Sequence, residues 1–168
     1  MMQGQWGMIP AWAKDASFGK KNAYNARGET LLEKPTFRSA FKLRRCVVPA
    51  SAFYEQDAGR WVRFSANAGI LPMAGLYEPA NRLCHLPSYA VVTTDPNSVV
   101  SPIQDRMPVV LSPEDVTRWL DPETEISELR AMLAPCPPDW FVAMDDGPIG
   151  KKKRAVEPTN LNNLFDDV

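Results

Sequence analysis

Arg44-Arg45-Cys46-Val47-Val48-Pro49-Ala50-Ser51-Ala52-Phe53-Tyr54-Glu55-Gln56-Asp57-Ala58-Gly59-Arg60-Trp61-Val62-Arg63-Phe64-Ser65 is the stretch that decides the fold. Arg44–Pro49 and Trp61–Ser65 are rich in β-branched and aromatic residues, which suit a pleated, half-buried surface, so both read as strands. Asp57-Ala58-Gly59 supplies hairpin-turn chemistry between them. Phe53-Tyr54-Glu55-Gln56 reads as a strand end that turns polar. Working outward, Leu71–Tyr77, Tyr89–Thr94 and Met107–Leu111 carry the same signature, and Trp6-Gly7-Met8-Ile9-Pro10 reads as a short strand stopped by proline.

Helical signals are fewer. Pro35 to Lys42 fits one short helix with proline in its first turn. Ser112-Pro113-Glu114-Asp115 opens another: Ser112 as N-cap, Pro113 at the first position and acids in the first turn. That helix should end near Leu120. Thr124 to Leu133 places Ile126, Leu129, Met132 and Leu133 on one stripe. Ala11 to Tyr24 reads as a loop or broken helical turn, and Asn25-Ala26-Arg27-Gly28-Glu29-Thr30 as a polar turn. About seven short strands with few helices predict a mixed α+β fold. The expectation is a single domain over residues 1–134, followed by an irregular C-terminal segment and tail over 135–168.

The chain has 168 residues, enough for one domain with a sizeable core. Its 16 prolines favour short strands and irregular loops over long helices. No apolar run approaches a membrane span. Met1-Met2-Gln3-Gly4 has neither a basic start nor an apolar stretch, so no secretory leader is expected. The formal net charge of −1 conceals an asymmetry. Residues 1–64 hold 11 basic and 5 acidic side chains, a net of +6, and residues 65–168 hold the other 8 and 15, a net of −7. Such a split either marks a polyanion-binding face or averages out where the halves interleave.

Cys46, Cys84 and Cys136 are odd in number and widely spaced, which is no disulfide framework and suits a reducing cytoplasm. With one histidine, His85, and no CxxC, no metal site or cofactor is expected. Cys84 and His85 are adjacent, so on a strand they would point apart and could not form a nucleophile–base pair. Cys46, in a strand-like run, reads as a small buried hydrophobe.

Three polar clusters stand at strand ends, where sites are commonly built: Asn25–Thr30, Phe53–Gln56 and Ile103-Gln104-Asp105-Arg106-Met107-Pro108. Taken singly, each is better explained by ordinary loop capping and surface ion pairs. Their order along the chain is more specific. Trp6-Gly-x-Ile-Pro-x-Trp12, Asn25-Ala-Arg-x-Glu-Thr30, Lys34-Pro-x-Phe-Arg38, Arg45-Cys-x-Val-Pro-Ala-x-x-Phe-Tyr-Glu55, Ala74-Gly-Leu-Tyr-Glu78, Val92-Thr-Thr94 and Asp105-Arg-Met-Pro-Val-x-Leu111 occur in succession. This pattern resembles the SOS-response-associated peptidase (SRAP) family over Trp6 to about Leu120.

The resemblance implies a compact α+β domain built on a twisted, barrel-like, mostly antiparallel sheet with few peripheral helices. It implies recognition of abasic sites in single-stranded DNA during the DNA damage (SOS) response. In the family, a cysteine after the removed initiator methionine forms a thiazolidine DNA–protein crosslink with the ring-opened sugar. An α-amine and a thiol can both add to one aldehyde, and a nearby carboxylate can move the protons. On this resemblance the catalytic positions are Glu55, Asn25 and Gln104, the last at the family's histidine position. The DNA-binding positions are Trp12, which could stack on a base, and Arg27, Lys34 and Arg106. The expected partner is single-stranded or abasic-site DNA, with no membrane or metal and a cytoplasmic location.

The chain also departs from the family. It starts Met1-Met2-Gln3-Gly4-Gln5, where the family starts Met-Cys-Gly-Arg, and joins the pattern only at Trp6. Gln104 can hydrogen bond but cannot take up a proton as histidine does. Gln56 stands where tryptophan is usual. Two explanations stay open at this point: a longer chain carries the nucleophile upstream, or this member has kept DNA binding while crosslinking is lost or weakened. A protein-interaction module that keeps only the fold is the alternative from a different class. Glu55 could simply pair with Arg27, and Asp105-Arg106, Glu29 and Glu78 read as structural charges. Lys151-Lys152-Lys153-Arg154 reads as a solvated basic tail.

Overall fold

Strand β7 (Ser88–Thr94) organises the molecule, because four other chain segments pair with it. In the computed structural model, which describes residues 2–67 and 69–149, β6 (Leu71–Glu78) runs antiparallel to β7, and β3 (Arg45–Ala50) runs antiparallel to β6. Two short segments, β1 (Gln5–Trp6) and β2 (Asn25–Arg27), pair in parallel with successive parts of β7. β8 (Met107–Pro108) closes on its end. β4 (Ala52–Asp57), β5 (Arg60–Ala66) and β9 (Phe141–Pro148) form a second, three-stranded antiparallel sheet. Only Ser51 separates β3 from β4, so the chain passes directly from one sheet to the other and the strands curl into a half-barrel.

The predicted α+β single domain is what forms. Helices α1 (Phe18–Asn22), α2 (Pro35–Leu43), α3 (Pro113–Leu120) and α4 (Ile126–Ala131) complete it. Side-chain alternation divides the interior into two parts. Ala90 and Val92 of β7, with Ala74 and Leu76 of β6, face the helices and meet Phe37, Phe41, Trp119 and Leu129. Val91 and Met73, on the opposite face, meet Phe64, Met107 and Phe141. There Phe53 stacks on Phe64 at 4.7 Å, and Phe141 stands edge-on to both. The central strands are buried on both faces, which explains their nearly unbroken apolar sequence.

Local chemistry sets several ends. Ser112 Oγ accepts the Asp115 N–H at 3.0 Å, as an N-cap should. Asp57 pairs with Arg60 across a two-residue turn in which Ala58 (φ 44°) and Gly59 (φ 79°) are both left-handed. One guanidinium serves two helix C-termini: Arg45 donates to the carbonyls of Phe41 and Lys42 at the end of α2, and to those of Trp119 and Asp121 at the end of α3.

Several readings of the sequence need correction. Of Trp6–Pro10 only Trp6 lies in a strand, β1, and of Met107–Leu111 only Met107 and Pro108 form β8. Asn25–Arg27 is a strand, with the 3₁₀ turn Gly28–Thr30 after it. It is held by parallel pairing with Val91–Thr93, a partner no local signal announces. Phe53–Gln56 lies inside a separate strand, β4, rather than at the end of another. Phe141–Pro148, within the stretch read as irregular, is a strand because Phe141 anchors it in the core and β5 offers an open edge. The basic run and the remaining tail at 151–168 lie outside the described residues. Among the described residues no helix is long and apolar enough to cross a membrane.

The charge split is partly cancelled in space. Arg44 meets Glu78 at 2.5 Å and Arg60 meets Asp145 at 2.5 Å, each pair joining a base of the first half of the sequence to an acid of the second.

Candidate nucleic-acid interface

A cleft of about 570 Å³ opens between the two sheets. Val48, Met73, Tyr89, Val91 and Thr93 form its wall on the large sheet, and Phe53, Tyr54, Glu55 and Trp61 form the facing wall. Asn25, Trp6 and Arg106 also line it. This is a largely apolar and aromatic slot with few polar groups, the usual make-up of a small-ligand site.

β2 aims its side chains alternately, so Ala26 enters the core while Asn25 and Arg27 stay exposed on one side. Asn25 thereby reaches the cleft from one sheet and Glu55 reaches it from the other. Glu55 is half-buried, and its Oε2 accepts the Gln104 Nε2–H at 3.0 Å. Gln104 Oε1 in turn accepts the Asp105 N–H at 3.0 Å. The pairing of Glu55 with Arg27 that the sequence allowed is not formed; Gln104 takes that place.

Arg106 is held firmly. It donates to both oxygens of Glu29, at 2.8 and 3.0 Å, and also to Asp95 Oδ1 and the Thr93 carbonyl. The guanidinium holds the Glu29 carboxyl below the usual carboxylate range. Burial raises the Tyr89 phenol, with Cys46 adding to the effect, so it stays a neutral hydroxyl at the cleft wall.

The structure thus brings Asn25, Glu55 and Arg106 to one cleft, with Gln104 attached through Glu55. Arg27 lies two residues along the same strand from Asn25 and makes no side-chain hydrogen bond among the described residues. Lys34 is exposed at the N-cap of α2, away from the cleft lining. Trp12 is 58% exposed and packs edge-on against Phe18 at 5.2 Å, also outside the lining.

Five aromatics of the cleft lie outside the site residues that the sequence suggests: Trp6, Phe53, Tyr54, Trp61 and Tyr89. Trp6, Phe53 and Tyr54 sit inside ordered motifs, which was the available signal. Tyr89 and Trp61 read only as strand residues. Trp6 donates its Nε1–H to the Tyr24 carbonyl at 2.9 Å, and the two rings lie 5.1 Å apart.

No cysteine lines the cleft among the described residues. Burial pushes the Cys46 thiol up to about 12 and the Cys136 thiol to about 11. Cys84 is buried beside Ile9 and Ala13. No group of three or more metal-ligating side chains is present among the described residues.

Residues 1–145 match the family described as SOS response associated peptidase (SRAP). The chain is 39% identical over 145 residues to the abasic site processing protein YoqW of Bacillus subtilis, covering 78% of this chain and 62% of that one. It is 33% identical over 150 residues to the abasic site processing protein HMCES of Xenopus tropicalis, covering 70% of this chain and 44% of that one. The chain thus spans about three fifths of the length of the Bacillus relative. Among solved structures, a Bacteroides thetaiotaomicron protein matches with a TM-score of 0.75 at 28% identity, over 83% of this chain and 66% of that one. A Bordetella bronchiseptica protein matches with a TM-score of 0.74 at 31% identity, over 84% and 75%.

Proposed function

The chain belongs to the SOS response associated peptidase family, and from that premise we propose that it binds single-stranded DNA at abasic sites. The observation that carries this reading is the meeting of Asn25 and Glu55, one from each sheet, in a single cleft. An abasic nucleotide has lost its base, so its sugar is open to the polar side chains that line the cleft. Asn25 offers both a donor and an acceptor to the sugar hydroxyls, and Glu55 offers a carboxylate. Arg27, on the same edge, is suited to the flanking phosphate, with Lys34 farther along the strand's path. Trp12 presents a ring face on which a base can stack without sequence preference. Arg106 is assigned chiefly to holding Glu29 and the turn that follows β2.

Covalent capture of the sugar does not run through Cys46, Cys84 or Cys136. None of the three lines the cleft, and none carries an α-amine. We therefore assign binding to the described residues and expect crosslinking through them to be absent.

The test is fluorescence anisotropy with a single-stranded oligonucleotide holding one abasic site, against the same strand intact. Tighter binding to the abasic strand is expected, falling steeply with salt. No binding of either strand at low salt overturns the proposal. Denaturing electrophoresis of the same mixtures reports crosslinking, and a shifted band that survives replacement of all three cysteines would identify another nucleophile.

A further inference from the structure

The geometry points to Gln104 as a positioning residue that makes the two hydrogen bonds of a neutral imidazole without a proton to gain or lose, and so fixes which oxygen of Glu55 the cleft offers. This rests on the abasic-site reading for its ligand but not for its geometry. Gln104 Nε2 donates to Glu55 Oε2 at 3.0 Å, and Gln104 Oε1 accepts the Asp105 N–H at 3.0 Å. These contacts settle which way the amide faces. Turned over, it would set its oxygen against the carboxylate and its NH₂ against the backbone N–H, and both bonds would be lost.

A neutral imidazole, with one nitrogen accepting and the other donating, satisfies the same pair of partners. The difference lies in titration. Histidine takes up a proton near pH 6.5 and then donates from both nitrogens, which would set an N–H against the Asp105 N–H. The amide keeps its acceptor at every pH at which the protein is folded. Gln104 therefore retains the orienting half of an imidazole's work and drops the proton-moving half.

The consequence falls on Glu55. With Oε2 occupied, Oε1 has no hydrogen-bond partner among the described residues, and it is the atom available to a hydroxyl or amine of the ligand. The groups facing Glu55 come from every wall. Tyr54 neighbours it on β4; Trp61 and Val62 face it from β5. Tyr89 and Thr93 belong to β7 and Asn25 to β2. Asp105 follows Gln104, and Arg106 is committed to Glu29. None of these is a histidine or a cysteine, so the cleft carries no imidazole step in its pH response.

The test uses the full chain and measures the preference for an abasic over an intact single strand between pH 5.5 and 8.5. Gln104→Leu keeps the volume and removes the donor, and is expected to lower that preference about tenfold, the effect of one hydrogen bond to a charged group. Gln104→His is expected to keep the preference above pH 7 and to add an inflection near pH 6.5 that the unsubstituted chain lacks. An unchanged preference in Gln104→Leu, or no added inflection in Gln104→His, overturns the positioning role while leaving abasic-site binding in place. Should the unsubstituted chain show no preference at all, the abasic-site reading fails, and the geometry is then decided by NMR. Exchange of the Gln104 side-chain amide protons is expected to quicken in Glu55→Ala, and an unchanged exchange rate overturns the positioning role by itself.

Discussion

Arg106 and Glu29, 77 residues apart in sequence, meet through two parallel hydrogen bonds of 2.8 and 3.0 Å. This fork ties the loop before β8 to the turn that follows β2, and so holds the strand bearing Asn25 and Arg27 in place. Removing the guanidinium in Arg106→Ala is expected to lower stability by about 1.5–3 kcal/mol, the range for hydrogen bonds to charged groups. Arg106→Lys should recover little of it, since an ammonium cannot make the fork. The pair depresses the Glu29 ionisation, so its contribution is complete above the ordinary value of 4.5 and is lost as pH falls below it. Urea titrations at pH 7 and pH 3 check this: the gap between the unsubstituted chain and Arg106→Ala should narrow at pH 3.

Arg27 and Trp12 separate two kinds of DNA contact. Arg27→Ala should weaken binding to every strand alike and reduce the slope of log K against log salt by about 0.7, the value for one phosphate on a single strand. Trp12→Ala should leave that slope unchanged while weakening binding by at least about fivefold, corresponding to one stacked base. Salt titrations of the two variants distinguish these outcomes.

Gly19 permits a close crossing. A Cβ there would land on the Gly7 carbonyl, and Gly7 itself sits at φ 102°, where other residues are strained. Both contacting atoms are backbone and cannot step aside. Gly19→Ala is expected to cost about 1–3 kcal/mol, the range for overpacking. Thermal melts should show the loss with binding intact at temperatures where the variant stays folded.

Phe141 decides whether β9 matters to the fold. It is 3% exposed and stands edge-on to Phe53 and Phe64. Phe141→Ala should therefore cost about 3–5 kcal/mol. A loss below about 1 kcal/mol would mean that the strand is a surface addition. Denaturant unfolding reads the difference directly.

Cys46 and Cys136 link stability to alkaline pH. Burial raises both thiols above their ordinary value of 9.0, to about 12 and about 11. A raised ionisation in the folded chain means that stability is full below pH 9 and declines as pH rises toward these values. Cys46→Ala should flatten the decline between pH 9 and 11 in denaturant titrations. At pH 8 both thiols should react with iodoacetamide far more slowly in the folded chain than in urea.

The sequence disclosed those parts whose causes are local. Ser112 with its two acids, Pro35 at a helix start and Asp57-Ala58-Gly59 each carry their chemistry within four residues, and each forms as read. β2 escaped because three residues of polar, apolar and polar character hold a strand only when β7 lies beside them. β9 escaped because Asp145, Asp146, Gly147 and Pro148 argue against a strand, while the single anchor Phe141 argues for it only once Phe53 and Phe64 are in place. At the site, the ordered motifs pointed to Asn25, Glu55 and Gln104, and the first two line one cleft. That Gln104 would reach Glu55 across 49 residues depends on how β3 crosses into β4. The pairing of Arg106 with Glu29 depends instead on β2 and β8 both lying against β7.

The position of β7 at the hub governs how the chain acquires its shape as it is made. β1 and β2 have no partner until residues 88–94 exist. Sixty-seven residues separate Arg27 from Thr94, which at about 5–20 residues per second is a wait of about 3–13 s. For that interval the segment that bears Asn25 and Arg27 lacks its β7 partner. The wall of the cleft that starts the sequence is thus completed only after the wall that follows it, and the cell must keep that segment from other sheet edges until β7 emerges.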